Sequence, residues 1–117
     1  MVMVVPLVAM LLASGRVSAS ASSGEEIAFG IEVARKGLWN EARFRFERAV
    51  ALDPDSAEAL NDLGVALEQQ GELAKSREAF EKALKIAPSS VYILQNYDLF
   101  READDKRNRK KNKPKTP

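Results

Sequence analysis

The sequence predicts an all-α protein of antiparallel helix hairpins, about five helices in number. Three observations carry this expectation. The stretch from Ser23 to Pro88 repeats itself at a spacing of 34 residues: Gly30 matches Gly64, Gly37 matches Gly71, Phe46 matches Phe80, Ala49 matches Ala83 and Pro54 matches Pro88. Within each copy the apolar residues recur at the period of a helix. Inside the repeats, glycine and proline fall where helices touch or end.

Taken in order, the first helix is expected over about Glu25 to Lys36, with Phe29 and Val33 at i, i+4 spacing around Gly30 and Gly37 as its terminator. The second spans about Asn40 to Leu52, with Asn40 as N-cap and Ala42, Phe46, Ala49 and Val50 on one face. Asp53-Pro54-Asp55 breaks it, since proline cannot donate the next backbone hydrogen bond. The second copy gives a helix from Ser56 to Gln70 with Leu60, Leu63 and Leu67 on one face and Gly64 in the middle. Its mate runs from Leu73 to Ala87, with Phe80, Ala83, Leu84 and Ile86 inward and Pro88 as the stop.

Gly30 and Gly64 let the paired helix approach closely, opposite the small Ala42 and Ser76. Phe46 and Phe80 fill the space between successive hairpins, because no hairpin can bury its faces alone. Ser89 or Ser90 caps a fifth helix to about Asp105, with Ile93, Leu94, Tyr97 and Phe100 covering the second hairpin. Asp98 and Arg101 stand where the repeat has glycine and an apolar residue, as suits a closing helix with no mate of its own.

These residues resemble the tetratricopeptide repeat, whose pattern is W-x2-L-G-x2-Y, then A-x3-F, then P. The second copy reads Leu60-x2-Leu63-Gly64-x2-Leu67, Ser76-x3-Phe80 and Pro88. The first reads Glu26-x2-Phe29-Gly30-x2-Val33, Ala42-x3-Phe46 and Pro54. Glu26 departs from the pattern, and a charge is expected to be tolerated there because nothing stacks on the outer side of the first helix. The resemblance covers about 80 of the 117 residues and divides the chain into repeats at about 23–56 and 57–90 and a capping helix at about 91–105, within a domain over 22–105.

The resemblance implies a tetratricopeptide-type α-α superhelix that binds an extended peptide or short helix on the concave face lined by the first helix of each repeat. Carried over by register, that face holds the apolar row Ile31, Val65 and Leu99, the row Ile27, Asn61 and Gln95, and the row containing Asp62 and Asn96, with Tyr92 at the mouth. An apolar seam edged by amides and carboxylates suits a protein partner with apolar anchors and some positive charge. The rival readings are that this seam joins two copies in a homodimer or thickens the core. Some members of the family clamp acidic chaperone tails with cations on these rows; here only Arg35 lies on that side, so such a clamp is not expected.

Residues Val2 to Ala13 form an uninterrupted apolar run of signal-peptide length, followed by small-residue cleavage sites at Val17-Ser18-Ala19 and Ala19-Ser20-Ala21. Residues 1–21 are thus read as a signal peptide, with an uncleaved short anchor as the competing reading, and the protein as exported, periplasmic or secreted. No Lys or Arg precedes the run, and no cysteine is present to carry a lipid.

Lys106 to Lys115 hold seven of the 18 Lys and Arg residues and no acid, leaving 11 bases against 17 acids, net −6, before them. Residues 106–117 are expected as a basic disordered tail that aids solubility, attracts anionic membranes weakly, or folds back on the acidic body. No aromatic residue is interleaved with its charges, so nucleic acid is not an expected partner. The chain lacks both cysteine and histidine, the glycines are explained by helix contact and helix ends, and the acidic pairs Glu25-Glu26 and Asp104-Asp105 sit at helix ends. No catalytic residue, metal site or cofactor is therefore expected, and an enzyme is not the reading.

Overall fold

The computed structural model describes residues 21–116, which form five helices and no strand. They are α1 (Ser23–Arg35), α2 (Trp39–Leu52), α3 (Ala57–Gln69), α4 (Leu73–Ile86) and α5 (Val91–Lys111). The α1–α2 hairpin packs on the α3–α4 hairpin chiefly through α2 and α3, and α5 lies across α3 and α4. The expected signal peptide of residues 1–21, or anchor of residues 2–13, lies outside the described residues but for Ala21. Among the described residues no helix is long and apolar enough to cross a membrane.

Local chemistry sets the helix ends. At α1, Ser22 Oγ accepts from the Glu25 amide at 3.2 Å while Glu25 Oε2 accepts from the Ser22 amide at 2.7 Å, a reciprocal cap. Ser56 and Ser90 cap α3 and α5 by accepting from the amides of Ala59 and Ile93. Both hairpin turns close in the same way. Gly37 and Gly71 take φ of +75° and +76°, and the next amides, of Leu38 and Glu72, reach back to the carbonyls of Val33 and Leu67. The turn delivers the chain straight into the second helix, so Leu38 occupies the cap position of α2 and makes no side-chain bond. Asn40, expected as that cap, instead lies inside α2 and accepts from Gln70 at the end of α3.

The repeat's glycine and phenylalanine form one contact. A Cβ at Gly30 would sit 2.5 Å from the Phe46 ring, and one at Gly64 would sit 3.0 Å from Phe80. Ser76 Oγ donates to the Gly64 carbonyl at 2.7 Å, so its smallness also serves a buried hydrogen bond. Phe46 packs with Val33, Ala42 and Ala66 across the two hairpins. Phe80 meets Phe100 and Tyr97 of α5 at ring-centroid distances of 5.6 and 6.1 Å.

Three further expectations need correction. Glu26 is not an exposed charge: it is 2% exposed, held by Arg48 Nε at 2.8 Å and Arg45 Nη1 at 3.3 Å. Ile86 is exposed: Ala83 and Leu84 of the same turn face the core, while Ile86 borders an open hollow with Val50, Pro54 and Lys82. Phe29 is also exposed on the outer side of α1, where the Arg45 guanidinium lies 4.4 Å from its ring centre. Finally, the expected disordered tail is helical as far as Lys111. Arg107 donates to Glu68 of α3 at 3.3 Å, and Arg77 of α4 donates to Asp104 at 2.9 Å. Beyond these ties, Arg109, Lys110 and Lys111 in the last turn complement the negative end of the helix dipole.

Candidate functional site

The first helices of successive hairpins, α1 and α3, present one side together with α5. A cavity of about 230 Å³ opens there, lined by Ile31, Ala34, Arg35, Trp39, Phe46, Asp62, Val65 and Tyr92. Tyr92 is shared with a second hollow along α5, formed with Gln95, Asn96, Asp98, Leu99 and Glu102. The two hollows make one surface whose protruding apolar groups are Tyr92, 61% exposed, and Leu99, 65% exposed.

The structure divides the nine residues placed here by register. Ile31, Asp62, Val65 and Tyr92 wall the first hollow, and Tyr92, Gln95, Asn96 and Leu99 wall the second. Ile27 does not belong to this surface: it is buried against Ala49 and Ala59 in the core. Asn61 is fully buried as well. It acts as a relay, accepting from Asn96 Nδ2 at 3.1 Å and donating to Asp62 Oδ1 at 3.1 Å.

Trp39 was missed as a wall residue, and so were Ala34 and Phe46. A signal was present, because Trp39, Ala42 and Phe46 form an i, i+3, i+7 stripe on α2. That stripe reads as core, and its first member is also where the core ends and the cavity begins.

Charge on this side is nearly all paired. Glu102 lies 2.7 Å from Lys106, whose hydrogen bond holds its carboxyl below the usual range. Asp98 lies 3.8 Å from Arg101, and Glu68 takes Arg107. Asp62 differs. It is 7% exposed, has no cation within ion-pair distance among the described residues, and its buried Oδ2 has no hydrogen-bond partner. Burial pushes its carboxyl up to about 6, against the lowering effect of the Asn61 bond and with a further push from the Glu58 charge. Among the described residues no group of three acidic side chains could hold a metal ion.

These features define a helix-hairpin repeat protein with a grooved face built from first helices. The tetratricopeptide repeat profile matches residues 27–91, more than half of the chain, and the protein belongs to that family. Over 67 residues it is 34% identical to the protein O-mannosyl-transferase TMTC1 of mouse. The match takes in 57% of this chain and 7% of that relative. Tetratricopeptide repeats mediate protein–protein interaction in general, and protein partners are the expectation that membership brings.

Proposed function

We propose that this protein is a binding module that receives an extended segment or short helix of another protein on the face formed by α1, α3 and α5. The observation that carries the reading is the continuity of the two hollows through Tyr92, with Val65 and Leu99 one repeat apart on α3 and α5. Side chains two or three turns apart on a peptide or helix can reach both hollows at once. The partner contributes apolar anchors, and the module supplies position and affinity while chemistry resides elsewhere in the assembly. The apolar run Val2 to Ala13 and the small residues after it support delivery of the module across a membrane, into the periplasm or outside the cell.

Photocrosslinkers placed at Tyr92 and Gln95 on the same face, compared between wild type and the double variant Val65→Glu plus Leu99→Glu of unchanged helical circular dichroism, test the reading. Crosslinks to a second protein that vanish in the variant are the expected result. Loss of self-crosslinks alone would make the face a dimer seam. Unchanged capture would overturn the groove and turn attention to the basic end of α5.

A further inference from the structure

We propose that the hollow between α1, α3 and α5 receives a lysine or arginine side chain of the partner, its charge held by Asp62 and its methylenes by Trp39, Val65 and Tyr92. This rests on the groove reading above and names the chemistry of its deepest contact. At about 230 Å³ the hollow suits one side chain rather than a larger ligand. Its walls combine three aromatic residues, Trp39, Phe46 and Tyr92, with a carboxylate, the two surfaces an amphipathic cation prefers.

Asp62 is the group the fold leaves incomplete. The amide relay from Asn96 through Asn61 satisfies Oδ1 alone, and Oδ2 is buried without a donor. Asp62 itself lines the hollow, so a donor seated there meets this carboxylate, and a half-turn about its last torsion merely exchanges the two equivalent oxygens. An asparagine would fill the same space without the charge, so retaining a lone buried carboxylate costs the fold stability. A ligand cation would return that energy on binding.

The neighbouring groups set the sign of the effect. Glu58 on the same helix adds negative charge, Arg35 at the end of α1 shares the wall of the hollow, α2 contributes the uncharged Trp39 and Phe46, and α5 contributes Tyr92 and Asn96. Arg35 is exposed at the rim and has no carboxylate within ion-pair distance among the described residues. It therefore opposes an incoming cation, and removing it should strengthen binding.

Trp39 is the sole tryptophan, so its fluorescence reports the hollow directly. Random dodecapeptides displayed on phage are selected on the full chain, and the winners are synthesised and titrated against wild type and variants. Winners carrying Lys or Arg beside an apolar residue, a shift in Trp39 emission, and about tenfold or greater loss of affinity in Asp62→Asn are expected. Asp55→Asn, on the exposed turn far from the hollow, should change nothing, and Arg35→Ala should raise affinity. Affinity of wild type should fall as pH drops through about 6, where Asp62 takes up its proton, and Asp62→Asn should lose that dependence.

Winners that depend on Val65 yet lack a cation, or that bind Asp62→Asn equally well, overturn this inference and leave the groove reading standing. Failure to enrich any peptide sensitive to Val65→Glu overturns both. A synthetic peptide of residues 106–117 that binds through Asp62 would make the occupant a second copy's own end, overturning the separate partner.

Discussion

Glu26 and Asp62 are both buried carboxylates on a first helix, and each stands where the other hairpin carries an apolar residue, Leu60 for Glu26 and Ala28 for Asp62. Their surroundings drive them in opposite directions. The hydrogen bond from Arg48 foremost, joined by that from Arg45, holds the Glu26 carboxyl below the usual range despite its burial. Burial without a cation drives Asp62 up to about 6. In the first hairpin the counter-charge comes from within, since Arg45 occupies the α2 position that Ala79 occupies in α4; the Leu60 and Ala79 positions of the second hairpin have become an ion pair in the first. In the second hairpin no such partner was built. A buried charge that the fold completes is structural, whereas one it leaves open is available for recognition.

Substitutions can break or sharpen this contrast, and the largest effect concerns the aromatic plugs of the two hairpins. Phe80→Ala should cost about 3–5 kcal/mol. Phe46→Ala should cost less, because Phe80 is wholly buried and also meets two rings of α5. Urea midpoints at constant slope measure both, and equal losses would show that the hairpins are packed alike.

The carboxylates come next. Because the folded-state value of Asp62 lies above its ordinary 3.8, its contribution to stability is whole below about pH 4 and lost as pH rises through about 6, a change of about 3 kcal/mol. Asp62→Asn should be more stable than wild type at pH 7 and flat across that window. Glu26 has the opposite sign: its contribution is present above its ordinary 4.5 and is lost as pH falls through its lowered value. Glu26→Gln should therefore flatten only the acid limb. Chemical denaturation from pH 3 to 8 separates the two, and a wild-type profile for Asp62→Asn between pH 4 and 6 would falsify the lone-carboxylate reading.

A smaller difference is expected at the glycines. Alanine gains up to about 1 kcal/mol in helix propensity. At Gly30 the added methyl collides with Phe46, for a net loss of about 1–2 kcal/mol, while at Gly64 the looser approach to Phe80 should leave the change near zero. Thermal midpoints of Gly30→Ala and Gly64→Ala decide this. Smallest of all, Arg107→Ala should cost at most about 1 kcal/mol globally, since its partner Glu68 is near the surface. Amide exchange in α5 beyond Asp104 should nevertheless accelerate, and unchanged protection there would show that Arg107 does not hold the helix end.

Much of this architecture was legible because glycine, proline and phenylalanine act locally. Gly37 and Gly71 adopt positive φ whatever lies elsewhere, and the match of Gly30 to Phe46 is repeated intact 34 residues on. Charged residues were legible only with their distant partners in view. Glu26 reads as a solvated charge until Arg45 and Arg48, on the facing helix, are brought against it. Likewise Lys106 to Lys111 read as a loose tail, since the acid that receives Arg107 lies 39 residues earlier. Register put Val65 and Leu99 on one side, where they line the two hollows that meet at Tyr92, but it records position along a helix and not what covers that position. Ile27 and Asn61 therefore share a row with Gln95 in the sequence and lie beneath the surface in the fold.

The long reach of α5 also bears on the order of assembly. Each hairpin closes through contacts between helices adjacent in the chain, the kind of contact that forms early and quickly. The tie from Arg107 to Glu68 closes a loop that spans α4 and most of α5, so it is among the last made and the first released. During synthesis from the amino end, α1 to α4 can pair before α5 has emerged, yet Tyr92, Asn96 and Leu99 arrive only with α5. The hairpins acquire stability first, and the face shared by α1, α3 and α5 is complete only when the last helix lands.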